Sequence, residues 1–99
     1  MKSSLHFDVS AEDRRLIVQI ADRAERFLLG HADHHWRLGT VMDLTACHAN
    51  GCRLRLKALL DASPFNLMHD IAGIREHLDR KTGKLDGRFR PRFAERNWS

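Results

Sequence analysis

The sequence lacks several features that would place it in a familiar class. Its 99 residues include no tyrosine and only two cysteines. Two cysteines are too few for the disulfide framework of a small secreted domain, and a reducing compartment would keep them as thiols. No stretch approaches the roughly 18 apolar residues of a membrane span, and the polar start MKSSLHFDVS lacks the apolar core of a signal peptide. We therefore expect a cytoplasmic protein without membrane contact.

The length of the chain is enough for one hydrophobic core. An apolar content of 42% and a charged content of 30% are ordinary for a globular domain. A chain of this size still exposes a large share of its surface after folding, so its stability is modest. Because association would bury more of that surface, we consider a homodimer beside the monomer.

Positive charge is concentrated at one end of the chain. Residues 1–79 hold ten Lys/Arg and eleven Asp/Glu, a net charge of −1, whereas residues 80–99 hold seven and two, a net charge of +5. An excess confined to one segment predicts an acidic partner, either nucleic acid or an acidic protein surface.

Two helices are predicted before residue 51. The first begins after Ser10, whose hydroxyl can cap a helix, and ends at Gly30. Its buried face would comprise Leu16, Ile17, Ile20, Ala21, Ala24, Phe27 and Leu28. The second runs from a cap at Asp33 to Asn50. Its inner side would comprise Trp36, Leu38, Val41, Met42, Leu44 and Thr45.

Two more helices are predicted in the second half. A short one spans residues 53–61, and a longer one starts at the cap Ser63 and runs to Lys81, before Thr82-Gly83. The apolar face of the longer helix would comprise Leu67, Met68, Ile71, Ile74 and Leu78.

The predicted fold is therefore all-α, a single domain of about four helices. It has an extended arm at residues 1–9, a helical core at 10–81 and a basic, partly extended tail at 82–99. Asp86-Gly87 in the tail is a hairpin-type turn signal, so a short two-stranded ribbon and an irregular tail are both open.

Cysteine and histidine residues cluster around the second helix. Cys47, His48 and Cys52 are candidate zinc ligands, because a Cys-x4-Cys pair across a turn can supply two of the four ligands of a tetrahedral site. His34, at the other end of that helix, would lie about 20 Å from His48 and would need a partner subunit to join the same site. The alternative is that the cysteines are reduced and fill small apolar gaps, and on that interpretation we expect no cofactor.

Nothing in the sequence requires an enzyme. His69-Asp70 is similar to the metal-binding pair of His-Asp phosphohydrolases, but those enzymes need further ligands on other helices. Thr82-Gly83-Lys84 lacks the preceding glycines and the strand-before-helix context of a phosphate-binding loop. A non-enzymatic binding protein is the leading hypothesis, and a zinc-dependent protein ranks third.

The predicted third and fourth helices have the proportions of a helix-turn-helix, which makes a DNA-binding regulator the second hypothesis. Three carboxylates on the reading helix, those of Asp70, Glu76 and Asp79, count against DNA. A protein partner suits the same tail, because Arg, Phe and Trp are frequent interface anchors. The predicted partner-binding residues are Arg75, Arg80, Lys81, Lys84, Arg88, Phe89, Arg90, Arg92, Phe93 and Trp98. Alternatively, the tail aromatics pack back onto the helices.

Two blocks of the chain resemble a group of small uncharacterised proteins of phages, prophages and their bacterial hosts. They are MDLTACHANGCRLRLKALL, with its ACHANGC core, and FNLMHDIAGIREHLDRKTGKLDGRFRPRF. Members of the group often have proline after the second cysteine, where this chain has Arg53. The resemblance implies no catalytic residue. It implies a setting in which small intracellular proteins bind host or phage macromolecules, as inhibitors of host defence or as regulators.

Overall fold

The computed structural model describes residues 9–28, 33–52 and 54–92. Over these ranges the fold is all-α, as predicted, with four α-helices and one small antiparallel sheet. The elements are α1 (Ala11–Phe27), α2 (His34–Cys47), α3 (Leu56–Leu60), α4 (Pro64–His77), β1 (Leu78–Asp79) and β2 (Lys84–Leu85). A π-helical turn, His48–Cys52, continues α2. The predicted arm before Val9, Gly30, Arg53 and residues 93–99 lie outside the described residues.

Helix α1 begins as predicted, because the Ser10 hydroxyl accepts a hydrogen bond from the Asp13 amide at 3.1 Å. It ends at Phe27, before the predicted stop. The predicted buried face of α1 is confirmed at its centre, where four residues are fully buried: Ile17, Ile20, Ala21 and Ala24.

Helix α2 begins at the predicted cap, where an Asp33 oxygen accepts from the Trp36 amide at 2.8 Å. Its predicted inner side is wrong in part, because Leu38 and Met42 are 45% and 64% exposed. The buried residues of α2 are Thr40, Asp43, Leu44, Ala46 and Cys47. Two polar residues thus occupy the inward face, and two large apolar residues lie outside it.

Helix α3 is shorter than the predicted span of 53–61 and packs against α1. Its leucines point inward as expected, since Leu56 and Leu59 are buried together with Leu54 just before the helix. The Arg23 guanidinium on α1 donates to the Leu60 carbonyl at 2.8 Å. This bond satisfies one of the carbonyls at the end of α3 that no helical amide can reach.

Helix α4 starts at Ser63, whose hydroxyl accepts from the Asn66 amide at 3.3 Å. The prediction that this helix continues to Lys81 is wrong, since it ends at His77. Pairing across the sheet explains the early end, because extended backbone at residue 78 allows the ladder with residue 85 to form. The four apolar positions predicted to face inward and found buried are Leu67, Ile71, Ile74 and Leu78.

The two-stranded hairpin lies upstream of its predicted turn. Leu78 pairs with Leu85, so the chain reverses at residues 80–83 and not at Asp86-Gly87. Gly83 has a φ of 75°, which glycine adopts readily, and any side chain there would overlap Asn50 of the π-helical turn. The hairpin turn therefore packs directly on the end of α2.

The core is formed where α1 and α4 each pack on α2, with α3 closing it from the α1 side. Across residues 9–28, 33–52 and 54–92, no helix has both the length and the apolar character that crossing a bilayer requires.

Candidate binding surface on helix α4

Asp43 on α2 is a buried carboxylate that holds two arginines from later in the chain. It accepts from Arg80 Nε at 3.0 Å and from Arg80 Nη2 at 2.7 Å, a bidentate geometry typical of strong arginine–carboxylate pairs. Arg75 Nε approaches the same carboxylate at 3.3 Å. Hydrogen bonding to Asp43 raises the pKa of Arg80 above its ordinary value. Asp43 therefore ties both α4 and the hairpin turn to α2.

Arg75 crosses from α4 onto the surface of α2. Its Nη1 donates to the Thr40 hydroxyl at 3.2 Å, and its guanidinium carbon lies 5.7 Å from the centre of the Trp36 ring. A side chain at Gly39 would come within 2.7 Å of Arg75 Nη2. The absence of a side chain at position 39 thus leaves space for Arg75 Nη2 on the surface of α2.

Asp70 anchors the tail to α4 in a comparable way. Its side chain is fully buried, and it accepts a hydrogen bond from the Arg92 backbone amide at 2.8 Å. His69 Nδ1 lies 3.0 Å from the same oxygen. A buried carboxylate is costly without hydrogen-bond donors. The burial of Asp70 therefore favours the conformation in which the tail is docked on α4.

Phe89 fills a gap on α4 created by Gly73. The ring stacks on His77 at 5.5 Å and lies 6.0 Å from the ring of His69, so the two histidines flank it. Phe89 is only 8% exposed. Of the two interpretations of the tail aromatics, packing onto the helices describes this residue.

An apolar strip runs along the exposed side of α4, at the three- and four-residue spacing that aligns side chains on one helix face. It consists of Phe65, Met68 and Ala72. Phe65 is 71% exposed, and the Arg92 guanidinium lies 5.9 Å from the centre of its ring.

An open cavity of about 450 Å³ adjoins this strip. Its size falls within the range of ligand pockets, roughly 300–1,000 Å³. The lining residues are Leu28, Trp36, Met68, Ile71, Ala72, Arg75, Glu76 and Arg80. The strip and the cavity together are called the α4 groove below. Its centre is apolar, and its charged lining residues lie toward the C-terminal end of α4.

The remaining basic residues predicted to bind a partner occupy different environments. Lys81 and Lys84 are exposed in the hairpin. Arg88 Nη2 donates to an Asp86 oxygen at 3.0 Å, and this hydrogen bonding lowers the pKa of Asp86. Arg90 donates to the Gly87 carbonyl. Phe93 and Trp98, also predicted, lie outside the described residues.

The two helices predicted to form a helix-turn-helix each pack mainly on a different helix rather than on each other. Helix α3 packs on α1, whereas α4 packs mainly on α2. Two of the three carboxylates expected on the exposed surface of this helix are not there, because Asp70 is buried and Asp79 lies in β1. Only Glu76 of the three is exposed on α4. The exposed side of α4 instead carries the apolar residues Phe65, Met68 and Ala72.

The candidate zinc ligands are only partly described. Cys47 is buried, and the side chain of Cys52 lies outside the description. His48 Nε2 lies 3.1 Å from an Asp13 oxygen, and its buried Nδ1 has no hydrogen-bond partner in the described part of the chain. Among the residues placed by the structure, no three His, Cys, Asp or Glu side chains are grouped to hold a metal ion.

Residues 12–95 match the model of a family of unknown function, DUF6874. The chain belongs to this family. The DUF6874 match covers nearly all of α1, the other three helices, the hairpin and the described tail, and so includes the whole α4 groove. No curated protein matches the chain, and no solved structure matches it either.

Sequence reasoning did not predict the burial of the two aspartates that organise this DUF6874 surface, although it considered Asp70 as a possible metal ligand. Asp43 follows Thr40 by three residues and precedes Cys47 by four, and Asp70 lies between Leu67 and Ile71. An acidic residue within the apolar repeat of a helix predicts a buried carboxylate with a dedicated donor. That signal was present for Asp70, whereas the residue three positions before Asp43 is the polar Thr40.

Proposed function

We propose that this DUF6874 protein is a non-enzymatic binding protein that docks a protein partner in the α4 groove. The observation that carries the proposal is the exposed Phe65 ring beside an open, largely apolar cavity. An exposed aromatic next to a concave apolar surface is typical of a protein-interaction site. Phe65 is 71% exposed, so its contribution to stability is small.

The pairing of the basic residues supports a protein partner over DNA. Arg75 and Arg80 are held by Asp43, and Arg88 is held by Asp86. Non-specific DNA affinity depends on cations that replace counterions along the phosphate backbone. Asp43 balances one of its two arginines and Asp86 balances Arg88, so fewer unpaired cations remain for that term, while one positive charge stays at the Asp43 end of the groove. A helix-turn-helix regulator and a zinc-dependent protein are the alternatives.

The resemblance to phage and prophage proteins supports a particular setting. In that setting the protein acts in the cytoplasm as an inhibitor or regulator of a host or phage macromolecule. The positive excess of residues 80–99 fits an acidic partner surface.

Site-specific photo-cross-linking tests the proposal. A benzophenone amino acid replaces Phe65 in cells, and any protein adduct is identified by mass spectrometry. The matched control carries the same group in place of Met42, which is 64% exposed on α2. We expect a discrete adduct from position 65, lost when Ala72→Glu is added, and none from position 42.

The absence of an adduct from position 65 would overturn the proposal. A gel shift with duplex DNA then tests the alternative, with Arg88, Arg90 and Arg92 replaced together by Gln. If these changes abolish DNA binding and position 65 gives no protein adduct, the DNA-binding function replaces the one proposed.

A further inference from the structure

The groove has cations at both ends of its apolar centre. At the N-terminal end of α4, the Arg92 guanidinium lies over Phe65. At the C-terminal end, Arg75 and Arg80 line the cavity. Glu76 is the carboxylate among the lining residues.

Both ends are held in place from inside the protein. The Arg92 amide is fixed by Asp70, and the Arg80 guanidinium is fixed by Asp43. Arg92 lies in the tail and Arg80 in the hairpin turn, so two separate segments each bring one cation to α4. The Arg80 side chain remains 59% exposed and can still face a partner.

The distance between the two ends limits what can bind. Phe65 and Arg75 are ten residues apart on one helix, which corresponds to about 15 Å along its axis. A partner helix of about ten residues has the same length. Two or three apolar side chains on one face of such a helix would match the apolar centre.

We infer, resting on the proposed function, that the partner presents an acidic amphipathic helix with an apolar centre and carboxylates at both ends. The apolar side chains enter the cavity between Trp36 and Met68, and the carboxylates meet Arg92 at one end and Arg80 at the other. A second copy of the chain is a poorer match. Helix α1, which carries Glu12 and Asp13 in its first turn, has its apolar face buried in the core and a basic Arg26 in its last turn.

A peptide probe tests the inference on the full-length protein. The probe is a fluorescent helical peptide of about twelve residues, with glutamate pairs at both ends and leucine at four-residue spacing between them. A second peptide is identical except for lysine pairs at the ends. We expect the glutamate peptide to bind about tenfold more tightly in anisotropy titrations, with the difference shrinking as salt is raised.

Charge-neutralising variants locate the contact. Arg80→Gln and Arg92→Gln are each expected to weaken the glutamate peptide about threefold, and together about tenfold. The matched control, Arg15→Gln, removes an exposed cation from α1 and should leave binding unchanged. Amide chemical shifts of Met68 and Ala72 should move with peptide concentration.

Equal binding of the two peptides, or equal effects of Arg15→Gln and Arg80→Gln, would overturn the inference. If neither peptide binds but position 65 still cross-links to a partner, the inference fails and the proposed function stands. If duplex DNA displaces the glutamate peptide, or if sedimentation equilibrium detects a dimer that Ala72→Glu disrupts, nucleic acid or a second copy is the occupant instead.

Discussion

The ring of Phe89 occupies the space that a side chain at position 73 would need, since a Cβ built on Gly73 would overlap it. The glycine lies inside α4, where it is unfavourable for the helix. The tail therefore docks on α4 at a position where alanine would be more favourable than glycine for the helix alone.

We expect Gly73→Ala to destabilise the protein, although the helix alone would gain about 1 kcal/mol from alanine. The methyl group displaces the Phe89 ring, and overpacking of this kind costs about 1–3 kcal/mol. In a Phe89→Ala background the same change should be stabilising, because the space is then empty. Urea unfolding followed by circular dichroism measures both. Gly87→Ala is the control, since it meets no neighbouring atom. An equal effect of Gly73→Ala in both backgrounds would contradict the packing.

Substitutions of the two arginines that bind Asp43 should have strongly non-additive effects on the free energy of unfolding. Arg75→Ala and Arg80→Ala each leave the carboxylate one guanidinium, so each should cost less than the double variant, with Arg75→Ala also losing the contacts to Thr40 and Trp36. The double variant leaves a buried carboxylate unpaired, and we expect a loss of about 3–5 kcal/mol. Adding Asp43→Ala to the double variant should recover part of that loss. The free energies of unfolding of all four variants decide the matter, and simple additivity would count against Asp43 as the shared anchor.

The pKa of Asp86 should depend on Arg88. Side-chain and backbone hydrogen bonds from Arg88 lower the pKa of Asp86 below its ordinary value of about 3.8. A lowered folded-state pKa means that this stabilisation is present above the ordinary pKa and is lost as the pH falls through the lowered one. Carboxyl NMR titration of Arg88→Gln should return the pKa of Asp86 toward its ordinary value. Arg90→Gln serves as the control, because Arg90 donates to a backbone carbonyl. An unshifted Asp86 titration in Arg88→Gln would refute the assignment.

The Ser63 cap should stabilise the first turn of α4, which carries Phe65 at one end of the groove. Ser63→Ala removes the acceptor for the Asn66 amide and should cost about 1 kcal/mol. Ser63→Asp should retain most of the stability, because aspartate is an equally good cap. Since Phe65 lies in the first turn of α4, hydrogen exchange should be faster there in Ser63→Ala alone. Equal exchange in the two variants would exclude a capping role.

Local chemistry was sufficient to predict where helices begin. Ser10, Asp33 and Ser63 each accept a hydrogen bond from an amide three residues later. Apolar spacing also identified the buried faces of α1 and α4. These features depend on residues within one or two turns of each other, and such residues are visible together in the sequence.

The features that failed depend on distant partners. The inner face of α2 was predicted from apolar residues, but Asp43 is buried because Arg75 and Arg80 reach it from α4 and the hairpin. The end of α4 depends on pairing between Leu78 and Leu85. The groove requires α2 and α4 to pack side by side, which no local pattern specifies.

The glycines at positions 73 and 83 constrain DUF6874 sequences in different ways. Gly73 has helical backbone, so a relative with alanine there is expected to carry a smaller residue at position 89, and the two positions should covary. Gly83 has a positive φ, so it should stay glycine whatever its neighbour is. Position 50 should then be restricted to side chains that are short enough to fit beside Gly83 and that still donate to the Ala46 carbonyl. In an alignment, positions 73 and 89 should therefore covary. Position 83 should be invariant, and position 50 should vary only within a narrow set of residues.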